Sequence, residues 1–206
     1  MRENRPMPNA SLRALFLAIE EVMGANGAKA VLNLAGLQEY INNYPPNNTE
    51  RGVRFTDYGK AQQAVEDFYG GRGARAMLTQ IGRATFRYTL EEQPTILGLA
   101  GLAMRMFPEK TRINLILNRM VKAANNNVNL PSYMEEDDDA WYYVVEQCPC
   151  QFRERSEKGA ACYTTVGTLQ EAIKWITGKH YRVQEIECLA VGGNVCKYRI
   201  DKKAQQ

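Results

Sequence analysis

Residues 162–201 read CYTTVGTLQEAIKWITGKHYRVQEIECLAVGGNVCKYRID. In this stretch Val166, Leu169, Ile173 and Ile176 recur every three or four residues. That is the stripe of an amphipathic helix over Thr164–Thr177, closed by Gly178. Two runs rich in β-branched and aromatic residues follow, His180–Ala190 and Val195–Ile200, with Gly192-Gly193-Asn194 as the turn between them. Upstream, Ala140–Gln147 is rich in Trp, Tyr and Val and reads as a strand, and Leu130–Met134 as a shorter one. The acidic run Glu135–Asp139 between them fits an exposed hairpin turn better than a hard-cation site. The order strand, strand, helix, strand, strand predicts an α+β fold on a small antiparallel sheet.

The sequence before Asn125 is helical in pattern. Leu12, Leu15, Phe16, Ile19, Val22 and Met23 form one apolar face, which Asn9 or Ser11 caps and Gly24 ends, and a shorter helical run spans Ala28–Ile41. After a loop over Asn42–Arg54, Thr56 is the expected N-cap of a helix running to Tyr69, and a second helix covers Ala74–Leu90. Gly70-Gly71-Arg72-Gly73 between them lacks the Lys-Ser/Thr and the preceding strand of a phosphate loop, so it reads as a helix joint. A buried helix is expected over Ile96–Phe107 and a further one after Pro108. The predicted organisation is a helical part over 1–128, an α+β part over 129–201 and a tail over 202–206, packed as one unit.

The 206 residues carry 45% hydrophobic and 24% charged residues, enough for a core without covalent staples. Net charge is +3, with 26 basic residues spread among 23 acidic ones, so no nucleic-acid partner is expected. The most apolar stretch, Thr95–Phe107, is broken by Arg105 and is shorter than the roughly 20 residues of a membrane span. Met1–Asn9 is polar and does not resemble a signal peptide. A cytoplasmic location is therefore expected, and with it reduced cysteines.

All five cysteines, Cys148, Cys150, Cys162, Cys188 and Cys196, lie in the last part of the chain. Cys188 and Cys196 flank the last turn, Cys162 starts the helix that returns to the same sheet, and Glu185 precedes Cys188 by three residues. Such groups can surround a metal ion, or be small buried apolar side chains; spacing leaves both open. Glu185 and Cys188 point to opposite faces of a regular strand, so a shared site needs a bulge or an early strand end near Glu187. Cys148 or Cys150 could replace Glu185. The chain's one histidine, His180, starts a strand, and no catalytic residue is assigned.

Cys162-Tyr163-Thr164-Thr165-Val166-Gly167, Leu169-Gln170-Glu171-Ala172, Val183-x-Glu185-x-x-Cys188-x-Ala190-x-Gly192 and Cys196-x-Tyr198-x-Ile200 together resemble the 4-vinyl reductase domain family, also called hydrocarbon-binding proteins. The resemblance spans roughly Ala140–Asp201. It implies a fold like that of TRAPP vesicle-tethering subunits, a homodimer and a closed hydrophobic pocket. It also implies a structural zinc held, as in the family's phenol sensors, by three Cys and one Glu, here Cys162, Glu185, Cys188 and Cys196. Trp141 stands where those sensors place a pocket Trp; their pocket His has no counterpart before His180, and no ATPase or DNA-binding module is expected in these 206 residues.

A ligand pocket needs apolar walls and a few polar anchors. Trp141, Tyr143, Phe86, Tyr88, Met104 and Phe107 are the expected lining. The function expected is binding of a small hydrophobic or aromatic molecule as sensor or carrier. Vinyl-group reduction of a tetrapyrrole ranks below it, because no flavin or nicotinamide fingerprint supplies a hydride; a dimerisation module is the third reading.

Overall fold

The computed structural model describes residues 3–94, 106–153 and 162–205. Met104 and most of the helix expected over Ile96–Phe107 lie outside the described residues.

The first half is built from two long, bent helices. Helix α1, Asn9–Leu34, buries Leu12, Leu15, Phe16 and Ile19 and bends at Gly24, where φ is 74°. Helix α2, Phe55–Glu92, bends in the same way at Gly70, with φ 68° and ψ 159°. Both bends put the backbone where a Cβ is disfavoured, which is why glycine stands at each. The two helix pairs expected from the sequence are thus two kinked helices. The start of α2 also differs from expectation. Arg54, not Thr56, is the N-cap; its N–H donates to the Asp57 carboxylate at 2.8 Å, while the Thr56 N–H donates to Asn4 Oδ1 at 3.1 Å.

Short strands β1, Pro6–Met7, and β2, Val53–Arg54, pair antiparallel and bring the starts of the two helices together. Helix α3, Glu109–Ala123, follows Pro108 and buries Ile113, Ile116 and Leu117. The main sheet contains β3, Ser132–Glu136; β4, Ala140–Val145; β5, Tyr181–Glu187; and β6, Cys196–Ala204, in the order β3-β4-β6-β5, all antiparallel. Helix α4, Tyr163–Thr177, connects β4 to β5 and ends at Gly178 with φ 77°. The architecture is α+β.

Helix α4 packs directly on α2 at two glycines. A Cβ on Gly82 would collide with the Thr164 carbonyl, and one on Gly167 with the Thr79 carbonyl. The Thr168 hydroxyl donates to the Gly82 carbonyl at 3.0 Å across the same contact. One apolar core lies among α3, α4 and the sheet, with Trp141, Tyr198 and Ile116 fully buried. The other lies between α1 and α2, around Phe16, Phe55 and Leu78. No helix among the described residues is long and apolar enough to cross a membrane.

Candidate functional site: a cavity beside a cysteine cluster

A cavity of about 200 Å³ takes its walls from both cores: Ala10 and Ala14 of α1, Phe86 of α2, Met120 of α3, Tyr143 of β4 and Leu169 of α4. Cys148 and Cys162 lie on its wall as well. The lining is mostly apolar. Its polar members include Tyr58 and Gln62, one turn apart on α2, and Glu92, whose carboxylate is held by Arg13 at 3.0 Å. No lysine, arginine or histidine occurs among the described lining residues. Burial pushes the Tyr58 phenol above its ordinary range, with the Cys148 and Cys162 thiols adding to the shift. Burial also raises Tyr143 to about 12, against a hydrogen bond with Ser132.

Of the six lining residues expected from the sequence, Phe86, Tyr88 and Tyr143 face this cavity. Trp141 is buried on β4, paired in register with Ile200, and does not line it. Phe107 is half exposed at the surface and is no wall of the cavity. Met104 is outside the described residues. Tyr58 and Gln62 escaped the sequence reading because an aromatic and an amide four residues apart on a helix look like an ordinary amphipathic face.

The five cysteines converge next to the cavity, all buried and none in a disulfide. Cys148 and Cys150 come from the turn after β4, Cys162 caps α4, Cys188 follows β5 and Cys196 opens β6. Of the two features a shared site would need, a bulge or an early strand end, a bulge is present: Glu185 pairs with Tyr198 and Glu187 with Lys197, so an extra residue, exposed Ile186, is accommodated between them. Glu185 and Cys188 consequently both point inward.

Two overlapping sets have their ligand atoms within 4.8 Å of one another: Cys162, Glu185, Cys188 and Cys196, and Cys148, Cys150, Cys162 and Cys196. The Sγ separations are 3.8 Å for Cys162–Cys188 and Cys162–Cys196, 4.0 Å for Cys188–Cys196 and Cys150–Cys188, and 3.4 Å for Cys150–Cys196. Thiolates about 2.3 Å from a tetrahedral ion stand roughly 3.8 Å apart, so the cluster has the dimensions to hold a thiophilic metal ion. Glu185 Oε2 accepts the Cys162 N–H at 2.9 Å. Burial raises its carboxyl to about 7, the Cys188 thiol adding to this and the Cys162 N–H opposing it.

No family model matches the sequence, and no curated protein matches it. Solved structures do. An oxygen-binding H-NOX domain related to soluble guanylate cyclases is 13% identical, with 93% of each chain covered and a TM-score of 0.56. An Fe(II) unliganded H-NOX protein mutant from K. algicida is 11% identical over 97% of each chain, with a TM-score of 0.57. The phenol-responsive sensory domain of the transcription activator PoxR, in complex with phenol, is 13% identical over 72% of this chain and 74% of its own, with a TM-score of 0.51.

The fold is H-NOX-like. This corrects three expectations. The TRAPP-subunit-like arrangement is replaced by one that H-NOX domains share along nearly their whole length. The resemblance to the 4-vinyl reductase family is not upheld, since the structures sharing the fold are H-NOX domains and a PoxR sensory domain. Zinc as structural cofactor is withdrawn as well: these structures are described by heme, oxygen or phenol, and none by zinc. The short motifs behind the resemblance fall at the start of α4, on the bulged strand β5 and at the start of β6.

Heme is the group this fold brings to mind, and the residues do not fit it. An apolar cavity of about 150 Å³ accommodates a single benzene ring. One of about 200 Å³ has room for one substituted ring, not for a macrocycle of four pyrroles. The chain's one histidine, His180, is exposed before β5, outside the cavity. The thiols on the cavity wall are turned into the sulfur cluster, with Cys148 Sγ 3.7 Å from Cys162 Sγ.

Proposed function

We propose that this chain is a sensory or carrier domain that binds one small, single-ring aromatic molecule in the cavity between α1, α2, α3, α4 and β4. The observation that carries the reading is the cavity itself: mostly apolar, about 200 Å³, ringed by Phe86, Tyr88 and Tyr143, and free of cationic side chains among its described lining. The likeness in fold to domains that bind oxygen or phenol supports a ligand-binding role. Residues of α1, α2 and α4 all line the cavity, so occupancy adds contacts to the three helices together, which is how a small ligand would bias the state of the domain. The experiment is calorimetric titration with toluene, on the wild type and on Ala14→Leu. The wild type binds one equivalent; the added side chain of Ala14→Leu, on the cavity wall, abolishes binding while circular dichroism stays native. Equal binding by both proteins puts the ligand elsewhere.

A further inference from the structure

The cavity wall carries a polar side chain with no hydrogen bond to another described residue. Gln62 is only 5% exposed, yet among the described residues its amide has no hydrogen-bond partner. The next residue shows the usual alternative: Gln63, equally buried at 6%, donates to Asp67 at 2.9 Å and accepts from Arg153. Tyr58, one helical turn before Gln62, also lines the cavity, and its hydroxyl likewise has no hydrogen-bond partner among the described residues. Residues four apart on a helix lie on one face, so an amide and a hydroxyl enter the same cavity side by side.

An amide that faces a mostly apolar cavity gains free energy when a ligand there supplies its bonds. Several other polar groups of the lining already have partners. The hydroxyls of Thr85 and Thr168 are engaged by the Ile81 carbonyl and by the Gly82 and Thr164 carbonyls, and Glu92 is engaged by Arg13. We propose that Gln62, with Tyr58 beside it, is the recognition anchor of the cavity, and that the ligand is a neutral single-ring aromatic bearing one hydroxyl or carboxamide. Such a group both donates and accepts, which matches an amide that offers N–H and C=O together and a hydroxyl that can do either. A plain hydrocarbon leaves the amide unpaired. A carboxylate enters a cavity with no cationic lining residue among those described and with Glu92 on the wall, so it is rejected by desolvation.

This inference rests on the aromatic-ligand reading above, and the test keeps the two apart by using three probes of nearly the same shape: toluene, phenol and benzoate. Toluene binding to the wild type tests the cavity; the ratio of phenol to toluene affinity tests the anchor. The wild type is expected to bind phenol at least about tenfold more tightly than toluene, and benzoate not measurably. Gln62→Met keeps the side chain's length without the amide and should bring phenol to within roughly threefold of toluene, with toluene binding retained or improved. Tyr58→Phe reads the same ratio with a smaller loss, and serves if Gln62→Met does not fold. Equal affinities for phenol and toluene in the wild type overturn the anchor while leaving the cavity standing, as does a phenol preference that survives Gln62→Met. Binding of neither probe overturns both readings.

Discussion

Gly82 and Gly167 show how much a single missing methyl can decide. Each has helical backbone, and exchanging a helical glycine for alanine ordinarily stabilises by about 1 kcal/mol. Here the sign reverses, because a Cβ at either position runs into a carbonyl of the opposite helix. Gly82→Ala and Gly167→Ala are each expected to destabilise the protein by on the order of 3 kcal/mol, as overpacking of a rigid contact does. Chemical denaturation with the slope unchanged is the measurement; a gain in stability in either variant means that α2 and α4 are not in direct backbone contact. The packing constraint on either glycine could not be read from the sequence, since it comes from the partner helix. The cysteines are the opposite case. Their residue type marks a cluster directly, but which groups surround a common centre depends on the turn after β4, whose path no local pattern fixes. Cys150 consequently lies nearer to Cys188 and Cys196 than its place in the sequence suggests.

At the scale of elements, much was legible. The apolar stripes of α3 and α4 and the strands β4 to β6 follow from periodicity, while the bulge between Glu185 and Glu187 was only one of two ways for Glu185 and Cys188 to face the same side. The joints were not. Gly24 and Gly70 read as helix ends, while the chain turns through one residue of positive φ and resumes its helix, because tertiary contacts on both sides of the bend outweigh the local break. The start of α3 is tied to the start of β5 in a way composition alone does not reveal. Glu109 accepts hydrogen bonds from Lys179 at 2.6 Å and from the Tyr181 hydroxyl at 2.5 Å. The bond with Lys179, then that with Tyr181, holds the Glu109 carboxyl below the ordinary glutamate range. A carboxyl that titrates lower when folded supports the fold at pH above its unfolded value and loses that support as pH falls through the folded value. Tyr181→Phe should therefore move the titration of Glu109, followed by carboxyl NMR, upward toward the ordinary range. An unchanged midpoint would mean that the tyrosine does not hold the carboxylate in solution.

At the scale of the whole molecule, the α+β class could be read from the order of elements, but the H-NOX-like arrangement could not, because it depends on how two bent helices pack against the α4 face. That packing leaves a space between two cores where the sequence offers only ordinary apolar residues, and the small side chains of Ala10 and Ala14 do as much to create it as the aromatic walls do. The size of that space is what sets the proposed use of the cavity apart from heme binding. The account therefore depends most on what fills it. Parallel titrations of the purified protein with toluene and with hemin are the direct measurement. A melting temperature that rises with toluene concentration, with no absorption band of protein-bound heme at any hemin concentration, is the expected result. Stoichiometric heme binding with a sharp absorption band, displaced by no aromatic, would contradict it.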